Sequence, residues 1–386
     1  MYGVAILCVM TLSVSDIDVS MPPFNVQGDG VTDCTAALQS VADAAAFQQV
    51  TDGNGFIKAQ TAPRIYFPSG IYKISGPINF RSIASIAGSK AIIVQAANTQ
   101  SFVFARGTHV DIDGMKFVGG TNAVYIANQN VNTCMFNVSR CHFDRTTKAA
   151  IFLESTATDA NSVGVLSATL NIDECRFRDC YQMLDECCDF ANFYRCQVQM
   201  SAAFAAPVPT DSGYLPFIVV RRGCFQIRDS VLTPADFLYT STSGPIKHYW
   251  IYSTGSVLAS ETRFGGENGG IPILMFGPAG VNAANNNGRT VRFIGCQMCA
   301  GPTSVPNGSK TPNPTTAMIT LNGMPSLIEF NNNYLMFVAP HILDPYGNAA
   351  KAAGTMNIAP KIHFGTNVNF PDTVRIPSTL TKYVVK

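Results

Sequence analysis

The chain of 386 residues carries little charge. Asp, Glu, Lys and Arg make up 13% of it, and 26 basic residues nearly balance 25 acidic ones, so the net charge is +1. This balance gives no electrostatic basis for binding nucleic acid or an anionic membrane surface. No segment is long enough for membrane insertion, and the apolar first dozen residues lack a basic start, so we expect a first strand there and not a signal peptide.

Several catalytic and cofactor patterns are also missing. The sequence contains no Gly-x-Ser-x-Gly elbow, no phosphate-binding loop and no dinucleotide fingerprint. No histidine lies at ligand spacing from a cysteine pair, so neither a metal ion nor a cofactor is predicted. Twelve cysteines are present, but four of them fall in a repeated apolar pattern, and we therefore expect mostly free thiols.

What the chain does contain is a repeat. An eight-residue pattern, first clear at Phe136 to Phe143 (FNVSRCHF), returns as LNIDECRF, FQIRDSVL and VRFIGCQM. Apolar and polar residues alternate as in a strand with one buried face, and the inward positions then skip by three, which predicts a bend between two short strands. The residue before the Cys-like position serves as the reference. It occurs eight times: Gly114, Arg140, Glu174, Arg195, Asp229, Glu261, Gly295 and Asn332.

A strand-containing unit that cannot bury its own apolar face must stack on its neighbours. The repeat therefore predicts an all-β parallel β-helix, in which each unit is one coil. A glycine turn after Phe24 followed by an alanine-rich stretch predicts an N-terminal helix that caps the open end of the coils. The expected divisions are 1–85 for the first strand, capping helix and first coil, 86–335 for the coils, and 336–386 for a C-terminal cap or subunit-contact segment.

Two motifs make the prediction more specific. GDGVTD at 28–33, followed by the alanine-rich helix and by IYFPSGIYKIS at 65–75, resembles the N-terminal signature of the pectate-lyase-like superfamily, in the branch typical of bacteriophage tailspikes and capsule depolymerases. The motif covers Phe24 to Ser75, and the repeat extends the similarity to about Leu335. Cys34 stands where that family commonly has a second Asp. The catalytic triplets of polygalacturonases and the calcium-binding acidic cluster of true pectate lyases are not found.

The resemblance implies a single-stranded right-handed parallel β-helix and a bacterial polysaccharide as the ligand. It further implies a homotrimer that is made in the host cytoplasm and becomes part of the virion. There it would lie on the phage tail and contact other phage tail proteins. These partners and this location are expectations from the resemblance alone.

Outward positions of the first strand in each unit supply candidate substrate-binding residues. They form two polar columns whose amides, hydroxyls and charges suit hydrogen bonding to a long polyol; ordinary solvated strand surface is the alternative. Arg263, beside a glycine-rich loop, and Trp250, in KHYWIY, are further candidates. The substrate-binding candidates are Asn171, Asn192, Tyr194, Gln226, Arg228, Arg263 and Trp250.

The candidate catalytic residues are acidic. Asp229 and Glu261 occupy the same bend on successive coils, so their carboxylates could lie about 5 Å apart, in the range of retaining glycosidases. Glu267, surrounded by four glycines, is the competing candidate. Surface ion pairs with Arg195 and Arg228, or a solvated turn at Glu267, are the alternatives.

The resemblance, together with the candidate carboxylates, favours a spike that binds a bacterial surface polysaccharide and cleaves it by carboxylate acid/base hydrolysis. A polysaccharide lyase and a non-catalytic tail or receptor-binding spike remain open.

Overall fold

The computed structural model describes most of the chain: residues 16–45, 50–51, 57–59, 63–80, 84–104, 109–127, 134–154, 168–186, 188–201, 215–234, 248–265, 269–277, 289–302, 318–323, 325–337, 342–343, 361–367 and 384–385. The expected strand within the first dozen residues lies outside this part. One helix, α1 (Thr35–Ala45), is present in it.

The remaining elements of the described part are short strands. In chain order they are β1 (Ile17–Asp18), β2 (Asp29–Asp33), β3 (Val50–Thr51), β4 (Ile57–Ala59), β5 (Arg64–Phe67), β6 (Gly70–Ile74), β7 (Ile78–Phe80), β8 (Ala84–Gly88), β9 (Ala91–Gln95), β10 (Phe102–Phe104), β11 (His109–Asp113), β12 (Lys116–Gly119), β13 (Val124–Ile126), β14 (Cys134–Ser139), β15 (His142–Asp144), β16 (Ala149–Leu153), β17 (Ala168–Asp173), β18 (Arg176–Arg178), β19 (Gln182–Glu186), β20 (Phe190–Tyr194), β21 (Gln197–Gln199), β22 (Leu215–Val220), β23 (Cys224–Arg228), β24 (Val231–Thr233), β25 (His248–Ser253), β26 (Ser256–Ser260), β27 (Arg263–Phe264), β28 (Gly269–Gly270), β29 (Leu274–Phe276), β30 (Thr290–Ile294), β31 (Gln297–Pro302), β32 (Ile319–Leu321), β33 (Leu327–Asn331), β34 (Tyr334–Phe337), β35 (Ile342–Leu343), β36 (Lys361–Phe364) and β37 (Val384–Val385).

These strands form three long sheets. The first sheet runs β1-β5-β8-β11-β14-β17-β20-β23-β26-β30-β33-β36-β37, the second runs from β2 and β6 through β12 and β24 to β31, and the third runs from β7 through β19 to β35. Successive strands of the chain visit the three sheets in turn, and each pairs in parallel with its counterpart one coil away, as β11 does with β14 and β12 with β15. This arrangement is the predicted parallel β-helix.

The bend between the first and second sheets is made by the reference residue of the repeat. All eight reference positions have positive φ, between +48° and +55° at the six non-glycine residues and +65° or +68° at the two glycines. A non-glycine residue in this left-handed region costs roughly 1–2 kcal/mol. The strain recurs because it turns the chain sharply and aims the reference side chain outward at each corner.

The interior consists of side-chain ladders along the helix axis. The rings of Phe117, Phe143 and Phe177 stack with centroids 5.6 and 4.9 Å apart, and all three are buried. The column after the reference residue is also buried, as the repeat predicted. Its polar members satisfy backbone groups: Ser230 Oγ accepts from Cys196 N at 3.1 Å, and Asn333 Oδ1 accepts from Cys296 N at 2.8 Å.

Nine cysteines in the described part are free, as expected. Three of them, Cys141, Cys175 and Cys196, occupy successive positions of the buried column. Burial raises the pKa of the Cys141 and Cys175 thiols well above the ordinary value. These cysteines are therefore small core residues held in the unreactive thiol form.

Helix α1 covers one end of the coils. Leu38, Val41 and Ala42 are buried beneath it. The Gln39 side chain accepts from Asn79 N at 2.8 Å and donates to Asn79 O at 2.9 Å, so one amide satisfies both backbone groups of the edge strand β7. The predicted capping role of the helix follows from these contacts, because an unpaired strand edge invites association with another chain.

The repeat extends beyond the eight units found in the sequence. Strand β36 pairs with β33 in register, Phe364 beside Phe330, and Asn367 then donates to Phe330 O at 3.2 Å and accepts from Asn333 N at 2.9 Å. Asn367 thus continues the column that contains Asn333. Part of the segment 336–386 therefore adds to the sheets, while its role as a cap or subunit contact stays a prediction.

Candidate functional site

The predicted polar column of the first sheet forms a continuous ladder. The strand register places Asp111, Asn137, Asn171, Asn192 and Gln226 at one position of successive coils. The amides bond to one another: Asn137 donates to Asp111 at 2.6 Å, Asn171 to Asn137 at 2.8 Å, and Asn192 to Asn171 at 2.8 Å. We call this set the amide row.

Tyr194 and Arg228 complete the set of first-sheet candidates. Tyr194 Oη lies 3.1 Å from both Asn192 Oδ1 and Gln226 Oε1, so its hydroxyl links the last two members of the amide row. Arg228 is the register partner of Tyr194, and its Nε lies 3.1 Å from Asp229 Oδ2. The structure therefore brings five of the sequence-predicted residues together, but many of their donors and acceptors are already hydrogen-bonded to one another.

The carboxylates of the bend lie on the outer corner of the solenoid. The register partners Arg228 and Ser260 place Asp229 and Glu261 at the same corner of adjacent coils. Both are exposed, and Asp229 is engaged by Arg228. One coil below, Arg195 similarly contacts Glu174 at 3.3 Å and also Asp173. The corner is thus a ladder of mixed charges facing solvent.

The other predicted residues lie elsewhere. Arg263 is in β27 of the second sheet, beyond the bend, and does not share a face with the amide row. Trp250 is buried, with its ring centroid 5.5 Å from that of Phe217, so it is a core residue and not a sugar-stacking surface. Glu267 lies outside the described residues.

A groove that the sequence did not reveal runs along the outer face of the third sheet. Two adjoining hollows, of about 560 and 420 Å³, share Tyr181, Gln182 and Asp185. We call their combined surface the third-sheet groove. Its floor is the outward column Tyr125, Phe152, Asp185, Val219, Tyr252 and Met275, which the register places on successive coils.

Aromatic rings line both halves of the groove. Tyr125 and Phe152 are stacked with centroids 5.3 Å apart and remain partly exposed, as does Tyr252 in the other half. Burial, together with a hydrogen bond to Glu154, raises the pKa of Tyr125 to about 12. Tyr249 lines the same half as Tyr252 and is buried, with its hydroxyl 3.0 Å from Thr320 Oγ1. Partly exposed rings along a channel are a surface on which sugar rings can pack.

Two carboxylates lie among these rings. Arg221 donates two hydrogen bonds to Asp185, from Nε to Oδ1 at 2.7 Å and from Nη2 to Oδ2 at 2.6 Å. This bidentate pair fixes the orientation of the carboxylate. Glu154 follows Phe152 by two residues on the adjacent coil. Two residues along a strand and one coil across put the Cα atoms of Glu154 and Asp185 roughly 8 Å apart.

A third carboxyl group lies behind the groove, in the core. Glu186 is fully buried and its Oε2 accepts from Cys188 N at 2.6 Å, while within the described residues its Oε1 has no hydrogen-bond partner. Burial raises the pKa of Glu186 to about 8. The group has no access to a ligand and acts on the stability of the strand that carries Asp185.

Sequence reasoning missed the groove because its residues share no chemical type. The first-sheet column is recognisable as repeated Asn, whereas the third-sheet column contains Tyr, Phe, Asp and Val in turn. Segments of varying length also separate the third strand from the repeated pattern, so the alignment that revealed the other columns could not reach it. One signal was available: tyrosines at outward positions of otherwise apolar segments, such as Tyr249 and Tyr252.

Neither a cluster of metal-ligating side chains nor a membrane-spanning helix is found in the part of the chain that the structure describes. No group of three or more potential ligands among His, Cys, Asp and Glu comes together there. Its helix also falls short of the length and apolarity needed to cross a bilayer.

Comparison with protein families gives a match over the N-terminal part of the chain. Residues 19–179 match the family model described as "Rhamnogalacturonase A/epimerase, pectate lyase-like". The resemblance to pectate-lyase-like β-helices is confirmed. The match begins just before the glycine turn and α1 and ends after β18, so it spans the cap and the first coils.

Among solved structures, ORF18 of Geobacillus virus E2 aligns with 12% sequence identity and a TM-score of 0.43. The alignment covers 92% of this chain, and the chain spans 62% of the length of that protein. No curated protein matches the chain.

Proposed function

We propose that this protein is a phage spike-type β-helix that binds a bacterial surface polysaccharide in the third-sheet groove and hydrolyses it. The observation that carries the proposal is the groove itself, an elongated channel with partly exposed aromatic rings at both ends and two carboxylates between them. The pectate-lyase-like family match supports a carbohydrate ligand, and the GDGVTD motif supports the phage assignment through its resemblance to tailspikes.

Glu154 and Asp185 are the carboxylates that the geometry favours for catalysis. Inverting glycosidases use two carboxyl groups about 6.5–9.5 Å apart, one to protonate the leaving oxygen and one to activate a water molecule. Their Cα atoms lie roughly 8 Å apart, from which rotation of the Glu154 side chain can bring the two carboxyl groups to such a separation. Asp185, held by Arg221, would accept a proton from the water as its oxygen bonds to the anomeric carbon, and Glu154 would donate its proton to the leaving oxygen as the glycosidic bond breaks.

The bend residues Asp229 and Glu261, with Glu267, remain the competing catalytic set. Asp229 and Glu261 lie at exposed corners of the coils, where a polymer would be less enclosed than in the groove. Both sets are tested together by replacing one carboxylate of each.

The direct test is release of reducing ends from bacterial capsular polysaccharide. We expect release by the wild-type protein and by Glu261→Gln, and loss of release in Glu154→Gln. Loss in Glu261→Gln with retention in Glu154→Gln would move the active site to the corner. Shortening of the polymer with new reducing ends and also with ultraviolet absorbance of a new double bond would identify a lyase, because β-elimination leaves an unsaturated sugar on one fragment and a reducing end on the other.

A non-catalytic spike is the second candidate, and one observation favours it. Asp185 and Asp229 are both engaged by arginines, as in structural ion pairs. A polysaccharide that binds but keeps its size would establish this function. A homotrimer and attachment to other phage tail proteins belong to the same proposal, and sedimentation equilibrium of the purified protein tests the trimer.

A further inference from the structure

Glu186 occupies an apolar position of the core directly behind the third-sheet groove. It follows Asp185 along β19, and since successive residues of a strand point to opposite faces, Asp185 faces the groove and Glu186 the interior. By register its neighbours are Leu153 on the coil below and Val220 on the coil above, both buried. A carboxyl group therefore lies where the adjacent coils carry aliphatic side chains.

The main chain of Glu186 connects this carboxyl group to the groove. Glu186 O accepts a hydrogen bond from Arg221 N at 2.9 Å, and the side chain of Arg221 donates two hydrogen bonds to Asp185. Arg221 thus holds two consecutive residues of β19, one through its main chain and one through its guanidinium group. We call the pair of Arg221 and Asp185 the carboxylate clamp. A displacement of Glu186 acts on both members of the clamp.

The Glu186 carboxyl group has too few donors for an ionised carboxylate. Its Oε2 accepts from Cys188 N at 2.6 Å, but its buried Oε1 has no partner among the described residues. Burial disfavours the charged form and raises the pKa of Glu186 to about 8. The interior arrangement is therefore stabilised by a proton on this side chain.

The charged groups around Glu186 do not supply the missing donor. The hydrogen bond from Cys188 and the charge of Arg221 lower the pKa of Glu186, and the charge of Asp185 raises it further, but burial outweighs all three. Asp189 and Arg222, beyond the end of β19, are partly exposed and lie 3.4 Å from one another. The other side chains around Glu186 are Leu153 and the partly exposed Glu154 from the coil below, Val220 from the coil above, and Ile172 and Phe177 in the interior of the same coil.

Loss of the proton would leave a negative charge in an apolar column with one oxygen unsatisfied. The charge reaches water if the end of β19 moves out of the column, and that movement breaks the bond from Arg221 N to Glu186 O. We propose that Glu186 is a proton-operated switch of the third-sheet groove: with its proton it keeps the carboxylate clamp closed, and after losing the proton to solvent it releases the clamp.

The switch opens as pH rises. The pKa of Glu186 is about 8 in the closed state and close to its ordinary value of 4.5 when the side chain is exposed to water, so the open state gains population as pH rises between these values. Release of one proton shifts such an equilibrium by up to about tenfold for each pH unit. Below this range the clamp is at its most stable.

This role of Glu186 rests on the proposed function only in making Asp185 a working residue of the groove. Opening of the clamp needs no ligand and no cleavage, so it can be measured in the free protein. The switch and the hydrolysis can therefore fail separately.

Hydrogen exchange of Arg221, followed by nuclear magnetic resonance in the full chain, tests the switch directly. In the wild type, the protection factors of Arg221 N–H and Nε–H should each fall at least about tenfold from pH 6 to pH 8. In Glu186→Gln, which cannot ionise, they should stay constant. Glu186→Leu, which copies Leu153 of the adjacent coil, is a second non-ionising variant, and Glu174→Gln, at an exposed corner, should respond as the wild type does.

The amide of Gln197 separates local opening from unfolding of the whole chain. Gln197 N donates to Cys175 O at 2.9 Å on the second sheet, away from the clamp. Its protection factor should fall less than that of Arg221 over the same pH range. Constant protection of Arg221 in the wild type, the same fall in Glu186→Gln, or an equal fall at Gln197 would overturn the proposal.

Hydrolysis of a susceptible polysaccharide gives the functional readout. Between pH 6 and pH 8 the wild type should lose a larger fraction of its activity than Glu186→Gln, because only the wild type releases Asp185. Equal losses in the two active proteins would show that the switch does not control the groove and would also overturn the proposal. If neither protein hydrolyses the polymer, the proposed function fails, and the switch is decided by the exchange of Arg221 alone.

Discussion

The first and third sheets present their outward side chains in opposite ways. On the first sheet, the amide row from Asp111 to Gln226 is closed by bonds between its own members. On the third sheet, Tyr125, Phe152 and Tyr252 keep part of their rings exposed over hollows of several hundred Å³. A polar column that pairs with itself stabilises the stack of coils, whereas a column of rings with open space above it is available to a ligand.

The largest expected difference between the two sheets is in catalysis. Glu154→Gln should lower hydrolysis of a susceptible polysaccharide by roughly 10²–10⁴-fold, because it removes a proton donor, and should leave the thermal unfolding temperature nearly unchanged. The control is Glu174→Gln, a corner carboxylate whose loss should leave hydrolysis intact. Reducing-end release measures both, and normal hydrolysis by Glu154→Gln would exclude this residue as the acid.

The second-largest expected effect is on the pH dependence of the free energy of unfolding, through Glu186 behind the groove. The folded pKa of Glu186, about 8, lies above its unfolded value, so the protonated form favours folding. Its contribution is complete below the unfolded pKa of about 4.5 and is lost as pH rises toward 8. Glu186→Gln should therefore stabilise the protein at pH 8 relative to the wild type, by more than about 1 kcal/mol, and flatten the dependence.

Urea unfolding of wild type and Glu186→Gln between pH 5 and pH 8 measures that difference. The two proteins should approach each other in stability at the acidic end. A wild-type stability that changes between pH 5 and pH 8 by the same amount as that of Glu186→Gln would contradict the burial argument.

On the first sheet, breaking the amide row should reduce stability and spare binding. Asn171→Ala removes the donor to Asn137 and the acceptor of Asn192, so we expect a loss of about 1–3 kcal/mol in the free energy of unfolding. Ser260→Ala, on the same face, should change it by less than about 0.5 kcal/mol. Chemical denaturation gives both values. A loss of polysaccharide binding by folded Asn171→Ala would instead make the amide row a ligand surface.

The smallest expected effect is on the third sheet. Tyr252→Ala should weaken polysaccharide binding by about 0.5–1.5 kcal/mol, the typical worth of one ring contact. Tyr66→Ala, a partly exposed tyrosine of the first sheet, is its matched control. Affinity electrophoresis in gels containing the polysaccharide measures the difference, and equal retardation of the two variants would remove Tyr252 from the binding surface.

The repeat made the first and second sheets predictable because their positions have fixed spacing and fixed chemistry. The bend at Asp229 and Glu261, the buried column with Cys141 and Cys175, and the amide row through Asn171 and Asn192 all follow from counting residues from one reference. The last unit, which ends at Asn367, was not recognised in the sequence, although Ile362 and Phe364 repeat the apolar pair of Ile328 and Phe330.

The outward column of the third sheet could not be predicted from the sequence, for a physical reason. A column is recognisable when stacking demands one residue type, as inside the core or in a hydrogen-bonded ladder. The outward positions from Tyr125 to Met275 are under no such constraint, so Phe152, Asp185 and Val219 share nothing that a periodic pattern could reveal. The position of Trp250 shows the same limit, because its burial depends on whether its strand turns that side chain toward Phe217 or toward solvent.

Hydroxyl-radical footprinting with a bound bacterial surface polysaccharide tests the central claim most directly. The reaction reports the accessibility of individual aromatic side chains, which both sheets possess. If the third sheet is the ligand face, Tyr125, Phe152 and Tyr252 will be protected by the polysaccharide, and Tyr194 on the amide row will react as in the free protein. Protection of Tyr194 with unchanged reactivity of the three third-sheet rings would contradict the account and place the ligand on the first sheet.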